Sequence, residues 1–592
     1  MKNKNTTIYD HNYNEFFGFG QQSFKFNLMD YKIPENDPVF TLKKVMEELD
    51  FTKLLSAYSS VGRRPYNPIM MFALLLYGNM RRKMSIDDIV YACQMDLGFI
   101  YLAQGQTPKR DAFYNFKNNK VSQETLDDLH YQFMRKLKEK GLITLEVLYV
   151  DGTKIEANAN RYTFVWRGTL NAHLIKLLDD IQSLYERYNE FIVENEYDVT
   201  YGILPETMFI VEGADKVKKV VLENKKRKRV NKKKLPHNIH LEIDNIGPQS
   251  IVKIKAILEK LAHKEAIEFK YGKGQRKSEL QRIYEAFHKY GSRLEKYKEN
   301  FEVMGDDRNS FSKTDIDATF MRMKDDHMMN GQLKPGYNLQ HGIENEFITD
   351  IYISNDRTDY ATLIPLLTKH ELMTGVQLKE VTADSGYCSE ENLRFCIENG
   401  IDPYIKLQEH ERKKTRKYHQ DIGKHYNMER LEKLDEDGNV YYEYKCHYGR
   451  SLKLTHKSTS HKRGFKQEFE HYECTSCEGC PLKKDCFYNY NEEKYKDRNK
   501  TMTINQKWEE LKAVSDKNIH SERGILNRQI RSIQTEGSFG DMKHNDDFAR
   551  FNTRGHEKVY KETMFYVFGR NIIKYHRFKT EELKPYEGKL IQ

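Results

Sequence analysis

Residues 145–155 read LEVLYVDGTKI, a mostly apolar run that closes on an acidic residue followed by glycine and threonine at Asp151-Gly152-Thr153. A stretch this apolar on both sides of the chain is expected of a strand inside a sheet, and the polar turn signal predicts that it ends at Asp151. A second run of the same design, LKEVTADSGY at 378–387, ends at Asp384. Between the two lie YNLQHGIEN (337–345) and FITDIYIS (347–354), which read as a hairpin across a short Asn/Glu turn. The amphipathic helix DYATLIPLLTKHEL (359–372) follows them. Beyond Asp384 come a helix over 388–400 and the strand GIDPYIKL (400–407). Strand, hairpin, helix, strand, helix, strand is a mixed α/β plan whose parallel neighbours need right-handed crossovers. Ligands and catalytic groups in such sheets gather at strand ends, where Asp151 and Asp384 stand in corresponding places.

Outward from this plan the pattern changes. Residues 1–140 read as helices: the unbroken apolar run from Pro68 to Leu76 fits a buried helix with proline in its first turn, and Ser85 with Asp88 makes a capping pattern. Gly105 to Pro108 breaks the series before a short helix from Asp111 to Phe116. Short helices joined by tight turns fit a helix-turn-helix DNA reader or a plain bundle. Residues 171–330 are helical and highly charged, with apolar residues spaced by three and four in LNAHLIKLLDDIQSLYERYNEFI and SIVKIKAILEKLAHKEAIEF. Within them Lys216–Lys234 forms a basic stripe that includes Lys225, Lys226, Arg227, Lys228 and Arg229 and is opposed only by Glu223. So many like charges repel one another, which a polyanionic partner would relieve.

Residues 410–514 carry short β-like pieces and a cysteine cluster, Cys474, Cys477, Cys480 and Cys486, spaced C-x2-C-x2-C-x5-C. Four thiols this close in a reducing compartment point to a structural Zn²⁺ closed by thiolates. An iron–sulfur cluster is the alternative, although the ferredoxin run has a shorter final spacing. Cys446, His447 or His471 could replace one ligand. A local metal knot suits β pieces that look too polar to bury a core of their own. Cys93, Cys388 and Cys396 read as small core residues, and Trp166 as a packing residue.

Composition narrows the rest. A chain of 592 residues predicts about three to five domains or sizeable insertions. Hydrophobic residues make up 38% including 39 tyrosines, so extended, elaborated architecture is expected. Lys and Arg number 97 against 88 Asp and Glu, and the resulting +9 matters only where charge clusters. The longest apolar run is too short for a bilayer span, and the N-terminus lacks an apolar leader, so a cytosolic protein is expected. No fixed-period repeat is present.

Two or three carboxylates drawn from distant segments suit a hard cation such as Mg²⁺ that keeps positions open for phosphate oxygens. Glu536 is the third candidate. It sits in a helical stretch with Lys543 seven residues later, two turns along and on nearly the same face, so a metal ligand and a phosphate-binding cation would point together.

VDGTKIEANANRYTFVW around Asp151, LKPGYNLQ before the hairpin, TADSGY around Asp384 and RSIQTEGSFGDMKHNDDFARFNTRG around Glu536 together resemble the DDE transposases of bacterial insertion sequences. The N-terminal GRRPYNPIMMFALLLYG and GQTPKRDAF segments share the likeness. The resemblance implies a ribonuclease-H-like mixed sheet with Asp151, Asp384 and Glu536 as a catalytic triad holding Mg²⁺ or Mn²⁺. It also implies phosphodiester cleavage at the ends of an insertion sequence and strand transfer to target DNA. Family members often carry Arg four and Tyr seven residues before the Glu. Here those places hold Ser532 and Gln529, Lys543 matches, and Arg528 and Arg531 lie out of register. Lys543 and Arg554 read as phosphate clamps, with Arg531 in the same basic set.

The expected organisation is a helical DNA-binding domain (1–140), the first core strand (141–170), a basic helical insertion (171–330), the core continued (331–409), a cysteine-containing β-rich insertion (410–514), and the Glu helix with C-terminal helices (515–592). The implied partners are double-stranded DNA, as terminal inverted repeats and target, and a second copy of the chain in a dimer or larger synaptic complex. The implied location is the bacterial cytoplasm, at the nucleoid. Two other readings stand beside this one: a catalytically decayed DNA-binding protein of a mobile element, and a ribonuclease-H-like nuclease.

Overall fold

A computed structural model of the chain describes residues 33–58, 65–197, 210–212, 242–244, 248–305, 308–323, 331–434, 438, 440–462 and 464–584. The basic stripe Lys216–Lys234, with Lys225 to Arg229, lies outside the described residues.

The N-terminal part is helical, as its pattern predicts. Helix α1 (Pro38–Glu47) begins on Asp37, whose side chain accepts from the Val39 N–H. In α2 (Pro68–Met80) Asn67 caps Ile69 and Met70, and Pro68 occupies the first turn, where its missing N–H costs nothing. Helix α2 is buried on nearly every side, as its lack of a polar face requires. Ser85 caps the next helix, Ile86–Met95, through the N–H groups of Asp87 and Asp88. Two short helices lead to α3 (Gln123–Glu139).

The central sheet has six strands: β1 (Val147–Glu156), β2 (Thr319–Arg322), β3 (Leu333–Glu344), β4 (Phe347–Ser354), β5 (Glu380–Ala383) and β6 (Asp402–Ile405). Its order is β6-β5-β1-β3-β2, and β4 also pairs with β3. Strands β1 and β3 run antiparallel, as do β3 and β4, while β5 and β6 lie parallel to β1. Asn345 and Glu346 turn the β3–β4 hairpin with positive φ of 47° and 72°, the geometry that matches the twist of paired strands.

Strand β1 does not stop at Asp151, contrary to expectation; it continues to Glu156 because β3 is long enough to pair with it as far as Gly336. Only the β5 side of β1 ends near Asp151. Gly152 is therefore a strand residue, and it is glycine because a Cβ there would come within 2.6 Å of the Gln340 amide.

Helices α4 (Arg167–Glu194), α5 (Pro248–Lys264) and α6 (Glu279–Met304) make a separate bundle with its own core, including Leu174, Ile181, Leu258 and Phe287. Helix α7 (Leu363–Thr374) links β4 to β5, and α8 (Glu390–Glu398) links β5 to β6. Trp166 packs against Phe164 and Phe320.

A five-stranded antiparallel sheet follows: β7 (Glu429–Leu434), β8 (Val440–Lys445), β9 (Ser451–Lys462), β10 (Phe465–Cys474) and β11 (Thr501–Ile504). The expectation that these pieces bury no core is corrected: Met428, Tyr444, Leu452, Tyr472, Cys474, Cys477 and Ile504 form a small one. It arises because inward residues of adjacent strands meet, as where Leu452 pairs with Cys474.

The chain ends in α9 (Gln506–His520), α10 (Glu522–Gly540) and α11 (His556–Lys579). Helix α11 is buried along most of its length and joins the N-terminal helices to the sheet, with Phe565 and Phe568 on Phe72. Its Asn571 side chain pairs with both the N–H and the carbonyl of Ile348 in β4. Among the described residues no helix is long and apolar enough to cross a membrane.

Candidate active site

The strand register brings two of the three expected carboxylates together. Parallel pairing of β1 with β5 matches Val147 to Glu380 and Tyr149 to Thr382, so two residues further along Asp151 stands level with Asp384. Adjacent strands lie about 4.8 Å apart, which seats the two aspartates side by side at the end of β5. Each is tied to its own backbone: Asp151 Oδ1 accepts from the Gly152 N–H at 2.8 Å, and Asp384 Oδ1 from the Gly386 N–H at 2.7 Å.

Helix α10 crosses this face. Arg523 pairs with Glu380 at 3.0 Å, Asn527 donates to Glu380 at 2.9 Å and accepts from the Tyr149 hydroxyl at 3.2 Å. Further along, Ser538 meets His341 Nδ1 at 3.2 Å and Phe539 stacks on the same ring at 4.4 Å. His341 pairs across the strands with Asp151. Burial, then the charge of Arg570, pushes its pKa down to about 3, so it serves this joint as a neutral ring. Between these anchors Arg531 Nη1 lies 3.6 Å from Asp151 Oδ2. Although out of register with the family signature, Arg531 is the α10 arginine that faces the pair.

Glu536 is placed differently. It is exposed, its carboxylate accepts from Ser532 on its own helix at 3.0 Å, and helical geometry sets it about 140° around the axis from Arg531. The helix then changes to a π-helical turn over Asp541–Asn545, so the stretch from Glu536 to Lys543 is not one unbroken α-helix. Arg554 is exposed and donates to the Asn158 carbonyl just beyond β1 at 2.7 Å.

Beneath the aspartates lies a buried polar network that sequence reasoning missed. Asn338 and Gln340 of β3 both donate to Asp359 Oδ1, at 2.7 and 3.1 Å, and the Tyr387 hydroxyl donates to Gln340 Oε1. Burial first, then the charges of Asp359, Asp151 and Asp384, raise the Tyr387 pKa well above its ordinary value, so this phenol stays a donor. A Cβ on Gly386 would stand 2.9 Å from Asp384 Oδ1 and 3.2 Å from Asp359 Oδ2, which shows how near Asp359 comes. The only signal in the sequence was alternation in YNLQ, where Asn338 and Gln340 share one face.

Cys474, Cys477, Cys480 and Cys486 gather at the end of the second sheet with Cys446, and burial first, then Cys477, Cys446 and Cys480 among its charged neighbours, raises the Cys486 pKa. Among the described residues, the group of three candidate ligands with atoms within 4.8 Å of one another is His410, Asp516 and His520; the cysteine sulfurs are more widely set. Asp516 is already paired with Lys413 at 3.1 Å. Cys93, Cys388 and Cys396 are buried, in line with packing roles.

Two aspartates level at a sheet end, under a helix that brings an arginine to one of them, offer carboxylate oxygens that could hold a cation. Two family models match the chain: Transposase DDE domain over residues 445–576, and Transposase domain (DUF772) over residues 27–119. Both matches support a DDE transposase of an insertion sequence. The first match contains Cys446 and the four-cysteine cluster as well as Glu536 and Lys543, while Asp151 and Asp384 lie between the two matched spans. No curated protein matches the chain.

Proposed function

We propose that the chain cleaves phosphodiesters at the ends of its insertion sequence and transfers the freed strand to target DNA, with Asp151, Asp384 and Glu536 as the catalytic carboxylates. The observation that carries this reading is the level placement of Asp151 and Asp384 on neighbouring parallel strands. The strand order, an antiparallel hairpin on one side of β1 and parallel β5 and β6 on the other, supports a ribonuclease-H-like core.

The donor set fits a hard cation. Both aspartates offer carboxylate oxygens, and the Arg531 guanidinium beside Asp151 shows that the site accepts positive charge. When bound, Mg²⁺ or Mn²⁺ supplies charge neutralisation and Lewis acidity at the scissile phosphate. Backbone N–H groups of Gly152 and Gly386 orient the two carboxylates, while Arg531 holds Asp151 against α10. Lys543 and Arg554 grip flanking phosphates and fix the DNA's register without reading its bases. Water adds to phosphorus at the element end and the 3′-oxygen leaves as a hydroxyl. That hydroxyl then attacks a target phosphodiester and displaces another 3′-oxygen. Glu536 joins the pair when DNA is seated. Two ends held at once call for a dimer or larger synaptic assembly, acting at the bacterial nucleoid. The cysteine segment holds a structural Zn²⁺.

The test is Mg²⁺-dependent nicking of end-containing DNA by wild type, Asp151→Asn and Asp384→Asn. Each variant is expected to lose at least about a hundredfold in rate while keeping its thermal melt. Undiminished nicking by Asp151→Asn would remove the pair from the mechanism, leaving a DNA-binding role.

A further inference from the structure

We infer that the segment leaving β6, residues 406–424, is a cationic arm that grips the DNA backbone beside the cleaved phosphodiester through Arg412, Arg416, Lys417 and Lys424. This rests on the transposase reading above and adds a contact surface to it. Position comes first. Parallel pairing matches Ile405 to Ala383, so Lys406 stands level with Asp384, and its N–H donates to the Ala383 carbonyl at 3.3 Å. In the order β6-β5-β1 the three neighbouring strands bring Lys406, Asp384 and Asp151 into a row, each about 4.8 Å from the next. The arm therefore starts one strand away from the aspartate pair.

Its charges divide into an anchored and a free set. From Lys406 to Lys424 the chain holds seven basic residues against three acidic ones. Glu411 takes Lys406 at 2.7 Å and Lys414 at 3.2 Å, Glu409 takes Lys512 of α9 at 3.1 Å, and Asp421 accepts from the Gly423 N–H at 3.2 Å. Lys413 reaches across to Asp516 of α9 at 3.1 Å. Among the described residues, Arg412, Arg416, Lys417 and Lys424 pair with no carboxylate, and all four are exposed. The acids of the segment are thus already engaged, and four cations are left facing solvent.

The root of the arm is fixed to α9. His410 is buried and stacks on His520 at 5.4 Å, and Ser515 donates to the Ile405 carbonyl at 2.7 Å. Further out, Thr415 caps the helical turn Arg416–Gln420 by accepting from the Tyr418 N–H. Tyr418 stacks on Tyr426 at 4.2 Å with the rings 4° from parallel, and Asn427 donates to the carbonyls of Tyr418 and Asp421 at 2.6 and 3.0 Å. Arg412 lies over the Tyr418 ring at 5.5 Å. An aromatic face, not an acid, positions this guanidinium, so its N–H groups stay available for bidentate contact with phosphate. Unpaired like charges held this close repel one another, and a polyanion passing the sheet end relieves them. DNA seated at Asp384 is that polyanion.

The test replaces Arg412, Arg416, Lys417 and Lys424 together by glutamine in the full chain. In fluorescence titrations of labelled end-containing duplex, the slope of log affinity against log salt should fall by up to about 3.6 units, with the thermal melt unchanged. Hydroxyl-radical footprints should lose protection of the backbone bordering the nick. A companion carrying Arg412→Lys and Arg416→Lys keeps the charge and should keep the slope. An unaltered slope and footprint in the glutamine variant, while wild type binds and nicks, would overturn the arm and leave the transposase reading standing. Wild type that neither binds nor nicks duplex would end that reading and the arm with it. If the fourfold variant misfolds, the single reversal Lys417→Glu decides: it should weaken duplex binding more at low salt than at high, and binding equal to wild type at low salt would overturn the arm.

Discussion

At the scale of single residues, the site separates into groups fixed by backbone and groups fixed by a helix face. Asp151 and Asp384 are held by strand register and by adjoining glycine N–H groups, so their separation follows from the sheet. Both were legible in the sequence, because an apolar run closing on Asp and a small residue is a local signal. Arg531 was harder to read: spacing from Glu536 argued against it, whereas the face it shares with Asn527 brings it to Asp151. Asp359 could not have been found, since its partners Asn338 and Gln340 are set by strand pairing across the hairpin. Glu536 accepts from Ser532, so on the proposed reading its contribution belongs to the DNA-bound state. Glu536→Gln is accordingly expected to cut nicking by about a hundredfold or more while leaving divalent binding by the free protein, followed by calorimetry, within about twofold of wild type. Loss of that binding would show that Glu536 already sits with the aspartates, and full nicking activity would remove it from the triad.

Among the elements, the hairpin, the helices and the short strands were readable from periodicity, while the length of β1 was not. A Gly-Thr pair after an aspartate signals a turn locally, but β3 supplies pairing partners that outweigh it. The π-helical turn after α10 escaped notice for a related reason, as no proline or glycine pair marks it. How α7 is fastened beneath β1 was equally hidden. His370 of α7 bonds Asp350 of β4 at 2.5 Å and the Leu145 carbonyl, just before β1, at 2.9 Å, and Tyr131 of α3 donates to the same Asp350. Burial disfavours a charged imidazole here, but the Asp350 charge and hydrogen bond outweigh it and raise the His370 pKa to about 9. A pKa raised above the unfolded value means that the stabilisation is complete below about 6.5 and is lost as pH climbs through about 9. The full effect is on the order of 3 kcal/mol. Wild type should therefore lose melting temperature between about pH 7 and 10, and His370→Gln should lose less over that range from a lower starting point, because Asp350 is left without its partner. Parallel pH profiles for the two proteins would rule out a charged His370.

In the molecule as a whole, the described residues form five hydrophobic cores. One runs from the N-terminal helices through β3 and β4 to α11, so the N-terminal helices share their interior with the sheet and α11. The bundle of α4, α5 and α6 and the cysteine-bearing sheet each keep a smaller core. Composition signalled elaboration of this kind but not which segments share an interior, since that depends on contacts such as Phe72 with Phe568 between opposite ends of the chain. The largest concentration of charge, Lys216–Lys234, falls between α4 and α5 in chain order, in a protein whose formal net charge is only +9. If this stripe lies along DNA, each phosphate it neutralises releases condensed counterions, and the logarithm of affinity should fall with the logarithm of salt by about 0.9 per contact. Replacing Lys225, Lys226, Arg227, Lys228 and Arg229 together by glutamine should then flatten the salt dependence by up to about 4.5 units, weaken binding to specific and random duplexes alike, and leave the zinc content untouched. The measurement is a fluorescence titration of labelled duplex at four salt concentrations. An unaltered slope would mean that the stripe does not touch phosphate and that the helices beside the sheet carry the DNA alone.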